Sequence, residues 1–363
     1  MDFEPTGDQQ ALQAELRRFL DDRVTGEVRR AIGVLPGAVD RDLWRELGGM
    51  GVFALTLPAS GGGVGLGLAD ATLVFEELGR AAVPGPLLGT FLAAGLEIDV
   101  SAAAAAGEAV VGIVPAGDPA FVEHLAALDA LLVVGDAGVG LAEPPAGGRP
   151  VVRPLDPLTP VDVVDALPAG RDVGGADVAG RLHTAGGLLA AALQVGLADA
   201  AVAMATAYAG ERTQFGRVIG SFQAVKHLLA DAQVQVEVAR CAVQAAGVEL
   251  DDSAAGASDA GRARRAVAGA RIVASRAADR ATRACVQVHG GMGFTWELDA
   301  HLLLKRALVL DAGVGGPEAA VESLAAALCR PISPAAGCWW SAPPPASGGP
   351  PPSPPCGPAA GWS

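Results

Sequence analysis

The stretch GERTQFGRVIGSFQAVKHLLAD, residues 210–231, joins two long segments that are rich in alanine and leucine. The segment before it, LLAAALQVGLADAAVAMATAYAGERTQ, contains little that would end a helix. Gly216 and Gly220 permit a turn between the two segments. The stretch therefore predicts two long helices joined by a short polar break. The second helix places one apolar face toward a core, made of Val225, Leu228, Ala232, Val236 and Ala239.

The polar break carries side chains that suit a phosphorylated, flat ligand. Arg212 has a planar guanidinium that pairs with phosphate oxygens, and Thr213 and Gln214 add further donors. Phe215 offers a flat face, and Gln223 opens the second helix, where an apolar helix would not need it. An ordinary helical hairpin with solvent-facing charges explains the same spacing. Both interpretations stay open on these residues alone.

A second stretch, QVHGGMGFTWELD at 287–299, follows another long helical segment. Gly290 and Gly291 allow the backbone to approach a ligand closely, with N–H groups available to phosphate or to a carbonyl. Gln287 both donates and accepts, which suits an adenine or a ring edge. The alternative is a glycine helix cap with incidental polar neighbours.

The rest of the chain extends this helical pattern. Thr6-x-x-Gln9 has capping-box spacing before an amphipathic run, and short valine-rich runs from about 105 to 180 have the length of strands. The glycine-rich run 61–67 matches no phosphate-binding spacing and is interpreted as a loop. We expect a mainly α fold with a small β domain. Its parts are an N-terminal helical domain at 1–104, a middle β domain at 105–178, a C-terminal four-helix bundle at 179–330 and a disordered, proline-rich tail at 331–363.

Composition limits the classes of partner. The chain has 363 residues, of which 51% are hydrophobic and 4% aromatic, so its core must be filled by Ala, Val and Leu. A net charge of −14 argues against nucleic acid and anionic membranes. The N-terminus MDFEPTGDQQ carries acids where a signal peptide needs lysine or arginine, so no signal peptide is expected. No apolar run reaches the ~18 residues needed to span a bilayer. The five cysteines have no paired spacing, so no metal site is predicted. We expect a cytoplasmic protein.

Taken together, the two stretches resemble the acyl-CoA dehydrogenases. Members of that family carry R-x-x-F-G followed by a Gln on one helical hairpin, and Q-x-x-G-G-x-G-[FY] further on. The segments MDFEPTGDQQALQAELRRFL and LPASGGGVGLGLADATLVFEELG resemble the family's first domain, so the resemblance covers about 1–316. The matching motif residues are Arg212, Phe215, Gly216, Gln223, Gln287, Gly290, Gly291, Gly293 and Phe294.

The resemblance implies FAD lying between domains, with its ADP part shared across a dimer interface. Arg212 would contact the FAD diphosphate and Phe215 the cofactor, while the glycine motif would receive the ADP of a neighbour's FAD. The reaction would be α,β-dehydrogenation of an acyl-CoA, in which a carboxylate base removes the α-proton and flavin takes the hydride. Electrons would pass to an acceptor such as an electron-transfer flavoprotein. The candidate cofactor residues are Arg212, Gln214, Phe215, Gln223, Gln287, Gly290 and Gly291.

The chain departs from the family pattern in two places. Nothing in 105–180 matches the T-E-P-x-A-G-S-D segment that lines the flavin, so the middle domain looks shortened. The two usual positions of the catalytic glutamate fall at Val314 and near 186–187, where no carboxylate stands. Asp311 is a weak candidate base that would need a local shift. Glu297 and Glu318, like Asp311, are more simply explained as surface acids.

Three hypotheses follow from the resemblance. The chain is an acyl-CoA dehydrogenase, active in a homo- or hetero-oligomer, or it is a non-catalytic partner that completes a neighbour's FAD site. FTWELDAH at 294–301 resembles segments of heteromeric dehydrogenases for sterol side chains or other bulky acyl groups, which favours the partner role. A flavin enzyme for a substrate other than a CoA ester, with Asp311 as its base, is the third.

Overall fold

Helices make up most of the computed structural model, which describes residues 5–34, 39–313 and 316–328. The tail at 331–363 and Val314 lie outside the described residues. A mainly α fold with a small β region is confirmed. The helices are α1 (Gly7–Arg23), α2 (Gly26–Val34), α3 (Arg41–Gly49), α4 (Leu68–Arg80), α5 (Leu87–Ala94), α6 (Ser101–Ala105), α7 (Ala176–Glu211), α8 (Gln223–Ala254), α9 (Ala260–His289), α10 (Ala300–Ala312) and α11 (Pro317–Leu328).

The first helix begins at the predicted capping box. The Thr6 hydroxyl accepts the Gln9 N–H at 3.3 Å, and the Gln9 side-chain oxygen accepts the Thr6 N–H at 2.8 Å. Helix α2 was not predicted from the sequence. The glycine-rich run is a loop, as expected, and it leads into α4. Asp251 of α8 accepts the N–H groups of Leu68 and Ala69 at 2.8 and 2.9 Å. The start of α4 is therefore capped within the chain itself and offers no phosphate site.

The β region consists of two small sheets. In the four-stranded sheet, order β1-β3-β4-β7, only β1 and β3 run parallel. The three-stranded sheet has the order β2-β6-β5 and is antiparallel. The valine-rich runs of the sequence form β1, β3 and β6. The strands are β1 (Val111–Pro115), β2 (Ala120–Glu123), β3 (Ala130–Gly135), β4 (Gly138–Ala142), β5 (Arg149–Pro150), β6 (Val161–Val164) and β7 (Arg171–Gly175).

Three long helices, α7 to α9, and the shorter α10 form the predicted four-helix bundle, and α11 adds a fifth helix after them. Helix α7 packs against α4, α8 and α9 over a core dominated by alanine, leucine and valine. Within the described residues, α7 alone is long and apolar enough to cross a membrane by length and composition. We expected no such run, yet the mean hydropathy of this window is 1.8. Since 78% of the window is buried inside the protein, α7 behaves as a core helix.

A charged network joins the N-terminal helices to the bundle. Arg240 of α8 contacts Glu76 of α4 at 2.8 Å, Asp199 of α7 at 2.9 Å and Glu237 on its own helix at 2.6 Å. Burial raises the pKa of Glu76, and the Arg240 guanidinium opposes that rise. Because one guanidinium contacts acids from three helices, it links α4, α7 and α8.

A second network fixes the segment that follows the glycine motif. Asp299, which is buried, accepts from Arg29 at 2.6 Å and from Arg30 at 2.7 Å. Both arginines lie on α2, and Asp299 directly precedes α10. The end of FTWELDAH is thereby tied to the N-terminal helices.

Candidate functional site

The two motifs singled out in the sequence lie side by side at one end of the bundle. Arg212 caps the C-terminal end of α7, and its backbone N–H donates to the Tyr208 carbonyl at 2.9 Å. The Tyr208 ring stacks on His289, with ring centroids 4.3 Å apart. His289 is the last residue of α9 and directly precedes Gly290. The stacked rings therefore hold the hairpin next to the glycine motif.

The hairpin tip presents an aromatic ring to the outside. Two short strands, β8 (Thr213–Gln214) and β9 (Arg217–Val218), pair in antiparallel fashion on either side of the tip. Phe215 has a φ of 51° and Gly216 a φ of 76°. A positive φ costs a residue other than glycine about 1 kcal/mol. The turn nevertheless holds Phe215 outward, with 92% of its surface exposed.

The polar candidates of the hairpin are all exposed. Arg212, Gln214 and Gln223 stand at the surface, and no hydrogen bond or ion pair joins the Arg212 guanidinium to another described residue. The neighbouring Arg217 differs, because its guanidinium lies 4.0 Å above the Phe222 ring. Arg212 therefore offers a full set of guanidinium donors to an incoming anion.

The glycine motif is open in the same way. Gly290, with a φ of 60°, turns the chain from α9 into a short 3₁₀ helix, Gly290–Phe294. A Cβ atom added at Gly290 or Gly291 would meet nothing within 4 Å, and Gln287 is exposed beside them. His289 Nδ1 lies 2.8 Å from the Cys285 carbonyl, which only accepts, so this nitrogen donates. The buried His289 thus orders the helix end rather than facing a ligand.

Both motifs also carry exposed apolar side chains. Phe294 is 70% exposed, and Met292 and Trp296 are also exposed beside the glycines. We call the hairpin tip with Arg212 and Phe215, together with the glycine motif Gly290–Phe294, the open end. Exposed apolar patches with polar neighbours are typical of ligand or protein contact surfaces.

Asp311, the weak base candidate, has both carboxylate oxygens engaged. Oδ1 accepts from Gln194 at 2.7 Å, and Oδ2 accepts from the Ser275 hydroxyl at 2.9 Å. The Arg271 guanidinium lies 3.5 Å away, 1% exposed, and also donates to Gln194 and to the Leu310 carbonyl. Burial lowers the pKa of Arg271 to about 10, and Asp311 opposes that change. This geometry suits an anchor between α10 and the bundle better than a base.

Replacing Asp311 with asparagine is expected to destabilise the protein by about 2 kcal/mol, because the buried Arg271 loses its charge partner. Flavin content and turnover in the active assembly should stay within twofold of the wild-type values. Urea unfolding and turnover measured on the same preparations check both statements. The exposed Glu318→Gln serves as the control and should change neither. Lost turnover with unchanged unfolding would instead make Asp311 the base.

The two positions where the family places its glutamate stay without a carboxylate. Val314 lies outside the described residues, and Gly186 and Gly187 are buried within α7. Glu297 and Glu318 are exposed, as expected of surface acids. Among the described residues no three His, Cys, Asp or Glu side chains form a group that could hold a metal ion.

A cavity that the sequence did not indicate lies between the N-terminal helices, the β region and the bundle. Its volume is about 410 Å³, and α4, α5, β1, β2, α7 and α10 all contribute to its walls. Most of the lining is aliphatic, with Leu87, Leu193 and Leu197 as examples. The polar lining residues are Glu123, Asp156, Thr159 and Arg306. Since these come from distant segments, no local pattern could have brought them together.

Comparison with known proteins identifies the family to which this architecture belongs. Residues 6–100 match the family model "Acyl-CoA dehydrogenase, N-terminal domain", and residues 174–329 match "Acyl-CoA dehydrogenase, C-terminal domain". The chain is 36% identical over 317 residues to acyl-CoA dehydrogenase IpdE2 of Mycobacterium tuberculosis, covering 81% of this chain and 91% of that protein.

Solved structures agree with the sequence matches. The ChsE4-ChsE5 complex from Mycobacterium tuberculosis superposes with a TM-score of 0.76 at 27% identity, covering 92% of this chain and 100% of the matched chain. The Tcur3481-Tcur3483 steroid ACAD gives 0.75 at 25% identity, covering 88% and 97%.

Fold and relatives together place the chain in a family of flavoprotein oxidoreductases of lipid metabolism. The chain belongs to the acyl-CoA dehydrogenase family, whose enzymes depend on FAD.

Proposed function

We propose that this chain is a subunit of an FAD-dependent acyl-CoA dehydrogenase assembly, in which it completes the FAD site of a partner and does not supply the base. The assembly removes hydrogen from the α and β carbons of an acyl-CoA thioester. The observation that carries the proposal is the open end. There Arg212, whose guanidinium pairs with no other described residue, follows α7 close to the exposed Phe215 and the accessible Gly290–Gly291 backbone.

The residues of the open end fit one half of FAD. The Arg212 fork matches the diphosphate oxygens, and backbone N–H groups at Gly290 and Gly291 have room to approach the ADP part. Gln287 suits the adenine edge, and Gln214 and Gln223 supply further amides from the hairpin. When bound, the flavin accepts the hydride from the substrate's β carbon. All these residues are exposed, so a cofactor held here needs a second surface to cover it.

A partner subunit would provide that surface. Phe215 on the hairpin and Phe294 and Trp296 in and after the glycine motif are exposed in the single chain. Two of the similar solved structures, ChsE4-ChsE5 and Tcur3481-Tcur3483, are assemblies of two different chains by name. We extend that arrangement to this chain, with an acyl-CoA dehydrogenase subunit that carries its own glutamate as the partner. The name steroid ACAD supports a bulky acyl group as substrate.

The missing base supports the partner role over an autonomous enzyme. Asp311 is engaged with Gln194, Ser275 and Arg271, and the two family positions lack a carboxylate. In the assembly the partner's glutamate would take the α-proton. Electrons would then leave the flavin for an external acceptor such as an electron-transfer flavoprotein.

The visible absorption spectrum tests this proposal. The protein is purified alone and after co-expression with an acyl-CoA dehydrogenase-like subunit. A colourless lone chain that gains flavin and acyl-CoA-dependent bleaching with the partner is the expected result. Stoichiometric flavin in the lone chain, bleached by an acyl-CoA, would overturn the partner role. A colourless protein under both conditions would overturn the FAD assignment.

A further inference from the structure

Tyr208, the single tyrosine of the chain, lies where the two motifs of the open end meet. It stands one helical turn before Arg212, whose backbone N–H donates to the Tyr208 carbonyl at 2.9 Å. Its ring stacks on His289 with an angle of 25° between the ring planes, and His289 directly precedes Gly290. One side chain therefore connects the residue that offers a guanidinium with the backbone that offers N–H groups.

Each motif is fixed on its own helix by backbone contacts. The Arg212 carbonyl accepts the Ile219 N–H at 2.8 Å, so the backbone of Arg212 is bonded on both sides while its side chain stays exposed. A Cβ atom added at Gly293 of the glycine motif would lie 2.7 Å from the Val286 carbonyl oxygen of α9, which shows how closely the motif packs onto that helix. The position of one motif relative to the other depends on a contact between the two helix ends.

The ring stack supplies that contact. His289 is 5% exposed, and its Nδ1 donates to the Cys285 carbonyl at 2.8 Å, which fixes the orientation of its ring. Tyr208 is half-buried, and the α7 residues that enter the core beside it are the small Ala205 and Ala209. Helix ends fray more readily than helix centres, and α7 ends within one turn of Tyr208. The stacked pair therefore restrains the end of α7 against α9 without belonging to the hydrophobic core.

We propose that Tyr208 is a positioning residue for FAD, which holds Arg212 and the Gly290–Gly291 backbone at the separation that the two parts of the cofactor require. The inference rests on the proposed function, in which Arg212 meets the diphosphate and the glycines meet the ADP part. A ligand that spans two groups binds tightly only when their separation is already fixed, because ordering them on binding costs affinity. The Tyr208 ring acts through these two groups and makes no contact of its own with the cofactor.

FAD titration of the cofactor-free assembly, followed by flavin fluorescence, measures this effect. Tyr208→Leu removes the stack and should weaken FAD binding about tenfold, whereas Tyr208→Phe keeps the ring and should stay within twofold of the wild type. Equal affinities of Tyr208→Leu and the wild type overturn the proposal. A loss in Tyr208→Phe as large as that in Tyr208→Leu also overturns it, because the effect would then belong to the hydroxyl group.

Phe222→Leu is the matched control for the loss of an aromatic ring. Phe222 belongs to the same hairpin, and its ring partners are Phe215 and the Arg217 guanidinium. Its replacement should change FAD affinity less than threefold. A tenfold loss in Phe222→Leu would mean that any ring of the hairpin matters equally, and Tyr208 would lose its assigned role.

A double variant separates positioning from general support of the fold. In an Arg212→Ala background FAD no longer spans both groups, so adding Tyr208→Leu should weaken binding less than threefold further. The same tenfold loss in both backgrounds would show that Tyr208 acts independently of Arg212 and would overturn the proposal. Light scattering on the same preparations should give the wild-type subunit ratio. A ratio lost in Tyr208→Leu would make this side chain part of the subunit contact instead.

The single tyrosine also gives a direct view of the stack. When tyrosine is labelled with ¹³C in its ring, the full chain shows one set of ring signals by NMR, from Tyr208. His289→Leu should shift these signals, since a stacked imidazole alters the resonances of the ring beside it, and should weaken FAD binding to the assembly about tenfold. Unmoved signals would overturn the proposal. A wild-type assembly that binds no FAD would overturn the proposed function as well, whereas wild-type binding that Tyr208→Leu leaves unchanged overturns this inference alone.

Discussion

Replacing Gly196 with alanine is expected to destabilise this protein by about 3 kcal/mol or more, the largest effect we expect from a single methyl group. Gly196 lies where α7 crosses α4, and an added Cβ would stand closer than 3.0 Å to the Glu76 carbonyl oxygen. Real Cβ atoms essentially never come that close to another atom. The obstacle is backbone, so no side-chain rotation can relieve the overlap, and the two helices must move apart.

Each of the two helices carries a glycine at the crossing, which increases the destabilisation expected from Gly196→Ala. A Cβ atom added at Gly79 of α4 would likewise stand too close to the Leu193 carbonyl oxygen of α7. Leu193 lies one helical turn before Gly196. Separating the helices would open the core on both sides, because α4 and α7 bury most of their length against each other and the bundle.

Gly180 supplies a control within the same helix. It is exposed, and a Cβ there would meet nothing within 4 Å. Gly180→Ala should therefore stabilise the protein by about 0.5–1 kcal/mol, through reduced freedom of the unfolded chain. Urea unfolding of the two variants measures both changes in the free energy of unfolding, which should have opposite signs. A Gly196→Ala protein as stable as the wild type would show that the crossing is looser than described.

Local signals predicted many elements of the fold. Thr6 and Gln9 mark the first helix, since their cap depends on residues three apart. The valine-rich runs predicted β1, β3 and β6, because strands require only a short β-favouring segment. Helix α2, GEVRRAIGV, was missed since it has two glycines and nine residues, and its Arg29 and Arg30 depend on the remote Asp299.

Contacts between distant segments could not be predicted in the same way. The cap of α4 comes from Asp251, some 180 residues later in the chain. The helix crossing requires Gly79 and Gly196 to meet, and neither position is unusual within its own helix. Such pairings depend on how the helices pack, and they cannot be predicted from the local pattern of a single sequence.

The candidate site, like the fold, could be predicted from the sequence only in part. Arg212, Phe215 and the two glycines were identified from motif chemistry and family resemblance, and the structure places these segments side by side. The stack of Tyr208 on His289, which brings them together, gave no sequence signal because aromatic pairing has no fixed spacing. Asp311 was considered as a base because it lies three residues from Val314, where the family places its glutamate. Its partners Gln194 and Ser275 come from distant segments and gave no sequence signal.

Arg212→Ala should weaken FAD binding to the assembled dehydrogenase about a hundredfold, which rests on the proposed role of the open end. Charge-assisted hydrogen bonds to phosphate contribute about 1.5–3 kcal/mol, and roughly 2.7 kcal/mol corresponds to that factor. Arg212→Lys keeps the charge and loses the planar fork, so about a tenfold loss is expected. FAD titration of the cofactor-free assembly, followed by flavin fluorescence, gives the affinities.

Arg217→Ala is the control that makes the Arg212 result specific, because it removes the same charge from the same hairpin. Its guanidinium already lies over the Phe222 ring, which leaves it poorly placed to grip a diphosphate. We expect less than a threefold change in FAD affinity for Arg217→Ala, with an unchanged subunit ratio by light scattering in all variants. Equal losses for both arginines would mean that the hairpin attracts FAD by general charge, and Arg212 would lose its assigned role. A lost subunit ratio in Arg212→Ala alone would instead make this arginine part of the subunit contact.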